Sequence, residues 1–259
     1  MKKIFYICIT LATVLFSCSK DDDNTPQAEE DATVEICEPD GYANGHAYMD
    51  LGLTTKQKWA IANVGAANAT DNGSYFKWGG VNAITSIDDE AAEVKLESTE
   101  DSLTMTLAAE NDAATVNMGG KWRMPTMSDM QKLTQQCYLK WTNNYHGTGA
   151  KGLVVYKAKD NNDRGKASLP NGPDKPKGTY TLADKHIFIP AAGCYFNEKI
   201  FSESTYFANC ALYSSTYSVS RDCAWVMWYF EEKNENTKFR GIVPVGTNMQ
   251  AACVRGVHD

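Results

Sequence analysis

The chain has little positive charge, no long apolar run and no spaced set of metal ligands. Its 25 Lys and Arg stand against 32 Asp and Glu, for a net charge of −7 at pH 7. Nucleic-acid binding needs clustered Lys and Arg to neutralise phosphates, so a nucleic-acid partner is excluded. The four histidines, His46, His146, His186 and His258, are far apart, and no Cys-x-x-Cys occurs. No metal and no cofactor is therefore expected. No Gly-x-Ser-x-Gly segment is present to seat a nucleophilic serine.

Two motif echoes fail on inspection. Gly147 to Gly152 matches Gly-x-Gly-x-x-Gly, but the strand-like Leu153-Val154-Val155-Tyr156 follows. A pyrophosphate site needs a helix there, so the glycines read as a turn. Asp160 to Gly165 resembles the start of a calcium loop. Such a loop wants an oxygen ligand at its fifth position and Glu at its twelfth, where Arg164 and Asn171 stand.

The beginning of the chain is informative. Lys2 and Lys3 precede the mostly apolar stretch Ile4 to Phe16, which leads into Leu15-Phe16-Ser17-Cys18. Spanning a bilayer takes roughly 20 apolar residues, so this stretch reads as a cleaved signal peptide, residues 1–17. The tetrapeptide resembles a lipobox, which makes Cys18 the expected lipidation site and the first mature residue. Residues 18–36 then read as a flexible acidic tether. Asp21, Asp22, Asp23, Glu29, Glu30 and Asp31 crowd there without an aromatic residue, and such composition cannot offset chain entropy. The run from Ser19 to Asp23 also resembles the acidic signal that exports some lipoproteins to the outer face. The expected location is the outer membrane, lipid-anchored and displayed on the cell surface.

Residues 37–259 read as one domain, with no Pro/Ser-rich linker and no second apolar span. Cys37, Cys137, Cys194, Cys210, Cys223 and Cys253 remain in it. Outside the cytoplasm they are able to form disulfides, with 15 pairings open. A domain of this size does not depend on staples, so several also fit as buried thiols.

The pattern is α+β, with short strands, one or two helices and long loops. Met127, Met130, Leu133 and Cys137 recur at spacings of three and four, which predicts a helix after Pro125, capped by Thr126 or Ser128. A short helix is expected within Leu107 to Thr115. Strands are expected at His46 to Leu53, Lys58 to Val64, Leu153 to Tyr156, His186 to Pro190, Ala224 to Phe230 and Ala251 to Val257. Ala224 to Phe230 is apolar on both alternating faces, so it reads as central, with Trp225 and Trp228 as core. Ile84 to Thr106 carries no evident period and reads as an acidic insertion. Lys157 to Asp184, with Pro170, Pro173 and Pro176, reads as a long exposed loop.

Several segments resemble one family in order along the chain. They begin with Asp50-Leu51-Gly52-Leu53, Trp59-Ala60, Asn63-Val64-Gly65-Ala66 and Gly73-Ser74-Tyr75-Phe76-Lys77-Trp78-Gly79. The most specific is Gly119-Gly120-Lys121-Trp122-Arg123-Met124-Pro125-Thr126. Tyr145 to Gly149, Ile187 to Gly193, Tyr213-Ser214-Ser215 and Val254-Arg255 follow. Together they resemble the Fibrobacter succinogenes major paralogous domain. That resemblance implies a C-type-lectin-like fold, distantly akin to formylglycine-generating enzymes, carried on surface lipoproteins and some fimbrial tips. The calcium-holding Glu-Pro-Asn, Gln-Pro-Asp and Trp-Asn-Asp triplets of sugar-binding C-type lectins do not occur. Glu38-Pro39-Asp40 is the nearest echo and precedes the matched region. The copper-binding cysteine pair of the enzymes has no counterpart, so no catalytic residue is expected.

Within the resemblance, Trp122 reads as core, while Arg123 pairs internally and orders the turn at Pro125. Asn197 to Arg221 reads as lying between strands, near the lectin-like long loop. Its Tyr206, Phe207, Tyr213, Tyr217 and Arg221 stand among Ser, Thr and Asn. Such residues suit recognition of a glycan or a surface protein, or anchor the loop to the core. The expected function is a non-catalytic, adhesin-like or glycan-associated binding module. The alternatives are a fimbrial tip or assembly subunit and a formylglycine-generating-fold enzyme.

Overall fold

The computed structural model describes residues 34–168, 176–197, 199–202, 208–231, 241–246 and 249–259. Cys18 and residues 18–33 of the tether lie outside them. Among the described residues the chain is mostly β-sheet, with two α-helices and long loops, within the α+β class.

Three sheets share the load. One runs in the order Gly41–Ala43, His46–Met49, Lys58–Asn63 and Arg255–His258. It joins the start of the described chain to its end, with Val257 opposite Trp59. A second has the order His186–Pro190, Ala150–Lys157, Cys137–Tyr145 and Ala167–Ser168. The third has nine strands, built around Asn209–Ser218 paired antiparallel to Cys223–Phe230.

The double-sided apolar pattern of Cys223–Phe230 has a direct structural counterpart. Met227 and Tyr229 enter one core cluster with Trp59, Trp141 and Leu153. Val226, Trp228 and Phe230 enter a second cluster with Trp122 and Phe76. Successive side chains of a strand point to opposite faces, so a strand covered on both sides needs apolar residues at every position. Trp225, at one end, is only half-buried.

The predicted helix is α2, following the short α1 (Ala113–Met118), and spans Met127–Gln136. Thr126 is its cap. The Thr126 Oγ1 accepts from the Asp129 N–H at 3.1 Å, and Asp129 Oδ2 accepts from the Thr126 N–H at 2.9 Å. This is a capping box, which satisfies two donors that the first turn otherwise orphans. Met130 and Leu133 are fully buried beneath it. Cys137 belongs instead to the next strand.

Within Leu107 to Thr115, where a short helix is expected, a 3-10 turn at Ala109–Asn111 precedes α1, which the Asp112 side chain caps by accepting from the Thr115 N–H. Three other expectations need correction. Ile84 to Thr106 contains the strand Leu96–Ser98 and the start of Thr104–Leu107, which pairs with Asn209–Ser218. Leu103, Met105 and Leu107 alternate with Thr104 and Thr106, a period-2 signal set among acidic residues. Lys157 to Asp184 is not simply exposed loop: Ala167–Ser168 pairs with Leu139–Lys140, and Leu182 is buried. Asn209–Ser218 runs as a strand through the segment that was read as lying between strands.

Asp163 pins the Lys157 to Asp184 segment. Its carboxylate accepts from the Lys177 N–H at 2.7 Å, the Gly178 N–H at 3.1 Å and the Tyr180 hydroxyl at 2.9 Å. Burial by itself pushes its pKa up, but these donors outweigh burial and hold it below the usual carboxylate range. A depressed folded value means stabilisation that is complete above that range and is lost as pH falls through it. The melting-temperature deficit of Asp163→Asn is expected to narrow as pH falls from about 7 to about 3, read by circular dichroism. A deficit independent of pH would show that the charge of Asp163 contributes nothing.

Candidate functional site

The most site-like surface lies where the Asn209–Ser218 and Cys223–Phe230 strands meet at their turn. Tyr217 stands opposite Met105 on one side and Ala224 on the other. Directly opposed residues share a sheet face, so these three side chains project together. The Val219 N–H donates to the Leu103 carbonyl at 3.0 Å, which extends the ladder one step beyond the strands. Leu103 and Val219 are 61 % and 48 % exposed and form an apolar rim.

Trp78 backs this rim. Its ring stacks on Tyr217 with centroids 5.6 Å apart and planes 26° from parallel. The indole N–H donates to the Ser214 carbonyl at 2.8 Å, which fixes the ring's orientation. The Tyr217 hydroxyl donates to Asp222 Oδ1. That bond, together with burial and the Asp222 charge, raises the phenol above its ordinary value. Asp222 sits at φ 51°, a left-handed conformation that Asp tolerates in tight turns. Arg221, beside it, is exposed. A half-buried Trp–Tyr pair beside an exposed Arg matches the residue types of binding hot spots.

The sequence-derived candidates separate sharply. Tyr217 and Arg221 belong to this rim. Tyr213 does not: it is 1 % exposed and its hydroxyl donates to the Met249 carbonyl at 2.9 Å. It lies on a strand covered on both faces, four residues before Tyr217 and across a bulge, and so faces the core. Tyr206 and Phe207 lie outside the described residues, as does Cys18. Trp122 is buried with its indole N–H donating to the Ala43 carbonyl at 2.8 Å. Arg123 forms an ion pair with Asp129 at 2.7 Å and reaches Asp259 at 3.4 Å. Pro125 is buried, and its carbonyl accepts from the Ser215 N–H at 2.9 Å. These three tie the turn before α2 to the sheets. Trp78, Leu103, Val219 and Asp222 were missed as site residues. Only the Leu103/Met105/Leu107 alternation signalled a strand edge there.

A second constellation has the residue types of nucleophilic catalysis. Cys37 Sγ lies 3.3 Å from His186 Nδ1, and His186 Nε2 lies 2.8 Å from the Tyr145 hydroxyl. The polarity is wrong for activation. His186 Nδ1 is also 2.7 Å from the Asp184 carbonyl, which only accepts, so in the neutral ring Nδ1 carries the proton. Nε2 then accepts from Tyr145, and the ring offers Cys37 no base. Burial pushes the Cys37 thiol up, the opposite of an activated thiolate.

The cysteines form no disulfide among the described residues. Burial raises the thiols of Cys137, Cys194 and Cys253 to about 12, so they pack as small apolar groups. No family profile, curated protein or solved structure matches the chain.

Proposed function

We propose that the chain is a lipid-anchored outer-membrane protein displayed on the cell surface, whose body is a non-catalytic, adhesin-like binding module. The Trp78–Tyr217 stack with its flanking Arg221 and Asp222 is the observation that carries this reading. Stacked aromatic faces with adjacent charged hydrogen-bonding groups recognise the apolar faces and hydroxyls of a surface glycan. The Lys2-Lys3, apolar-stretch and Cys18 series supplies the anchor. The ordered resemblance to the Fibrobacter succinogenes major paralogous domain supports a lectin-like body. The Nδ1–H form of His186, which denies Cys37 a base, supports the non-catalytic part.

A glycan array probed with the detergent-solubilised protein, with calcium and again with a chelator, tests the reading. Binding is expected, and Tyr217→Ala or Arg221→Ser is expected to weaken it about tenfold or more while leaving the fold intact. Undiminished binding by both variants would place the ligand elsewhere. A blank array, followed by rim-dependent capture of an envelope protein, would make the ligand a protein.

A further inference from the structure

A cleft of about 400 Å³ opens between the arm at residues 34–40 and the sheets. Its walls include Ile36, Ile61 and Phe188, and Thr70, Tyr145 and His146 supply polar groups. Small-molecule sites have this volume and this mixture, an apolar body with a few placed polar atoms. The His146 Nε2–H donates to the Val34 carbonyl at 2.9 Å, and the Cys37 N–H donates to the Leu182 carbonyl at 2.8 Å. These bonds hold the arm in place as one side of the cleft.

Two residues of the cleft wall, Ile61 and Phe188, hold a buried cation that has no paired carboxylate among the described residues. Arg255 is 0 % exposed, and its Nη1 donates to the Ile61 carbonyl at 3.1 Å and the Phe188 carbonyl at 2.8 Å. Both of those residues line the cleft. Nε donates to Asn63 Oδ1 at 2.9 Å, and Nη2 has no hydrogen-bond partner. The titratable groups acting on this guanidinium are Cys210, Cys253 and Tyr145, with no carboxylate among the described residues. A buried cation normally carries a paired anion, because desolvation is costly. Through a low-dielectric wall its field reaches the cleft far less screened than it would through water. Glu38 also lines the cleft, but it is exposed, and water screens it.

We propose that this cleft is a binding site for a small organic anion with an apolar body. The anion's apolar part packs against Ile36, Ile61 and Phe188, and its charge is drawn to the Arg255 side of the cleft.

Arg255 is itself structural, so the charge is varied on the ligand. Benzoate, benzyl alcohol and benzylammonium are titrated into the full mature chain carrying Cys18→Ser, which needs no detergent. Binding is followed by calorimetry and by backbone amide shifts. Benzoate is expected to bind at least about tenfold tighter than benzyl alcohol, with benzylammonium weakest. Its shifts should centre on Thr70, His146 and Thr148. Ala69→Trp, placed at the lining, is expected to abolish benzoate binding while the melting temperature of the unliganded protein holds. No binding by any probe, or equal binding by all three, overturns the proposal. So do shifts centred elsewhere, a result that does not depend on how well the tryptophan variant folds.

Discussion

Arg255→Met is expected to lose about 3–5 kcal/mol of stability, measured by urea denaturation of the soluble chain. Two effects oppose each other. Burial disfavours the cation and lowers its pKa to about 10, so removing the charge relieves a desolvation cost. Its acceptors remain, however. Asn63 Oδ1 and the carbonyls of Ala60, Ile61 and Phe188 face the guanidinium from two different sheets. Each acceptor left dry costs about 1–3 kcal/mol, so the orphaned acceptors outweigh the relief. Replacing only one side of a buried polar contact is the destabilising case, unlike exchanging the whole set for apolar groups. A variant as stable as the parent would sink this account of Arg255.

The sign of the pH dependence follows from the same group. A folded value below the unfolded one means that the unfolded chain holds more protons between about pH 10 and the ordinary guanidinium range. Stability from Arg255 therefore rises across that window, and its cost is carried throughout neutral pH. The structure tolerates this because the guanidinium joins the closing strand Arg255–His258 to Lys58–Asn63 and His186–Pro190.

Cys18→Ser is expected to abolish acylation and remove the protein from the outer-membrane fraction. The proposed anchor joins lipid to the Cys18 thiol, and serine provides no equivalent sulfur. On that proposal more than one chain on Cys18 supplies the two signals that stable anchoring needs, and the loss of all of them leaves only the acidic segment. An uncleaved signal peptide is itself too short to span a bilayer stably, since roughly 20 apolar residues are required. Incorporation of labelled palmitate is the decisive reading, with membrane fractionation beside it. Continued labelling and outer-membrane fractionation of the variant would remove the basis for the anchor and for surface display.

The helix after Pro125 was legible because its instructions are adjacent in the chain. Thr126 and Asp129 form the cap, and Met130 and Leu133 form the buried face. The strand Cys223–Phe230 was legible because both of its faces are apolar, a pattern that needs no knowledge of its partners. Trp122 and Arg123 could be read as structural because the segment around them contains its own cap and proline. The rim was legible only in part. Tyr213 and Tyr217 look alike in sequence, four residues apart and among the same neighbours. A bulge between them and a strand on either side send one into the core and leave the other at the surface.

The sequence by itself determined the α+β character, the capped helix, the double-sided central strand and the acidic balance. Each depends on composition or on residues within a few positions of one another. Tertiary structure alone decided that Asn209–Ser218 is a strand, that the described cysteines stay unpaired, and that Trp78 meets Tyr217. It also decided that Arg255 is buried without a carboxylate. These outcomes depend on groups separated by up to 195 positions, as between Ala60 and Arg255. Pairing, burial and solvation across such distances are settled only when the sheets close on one another.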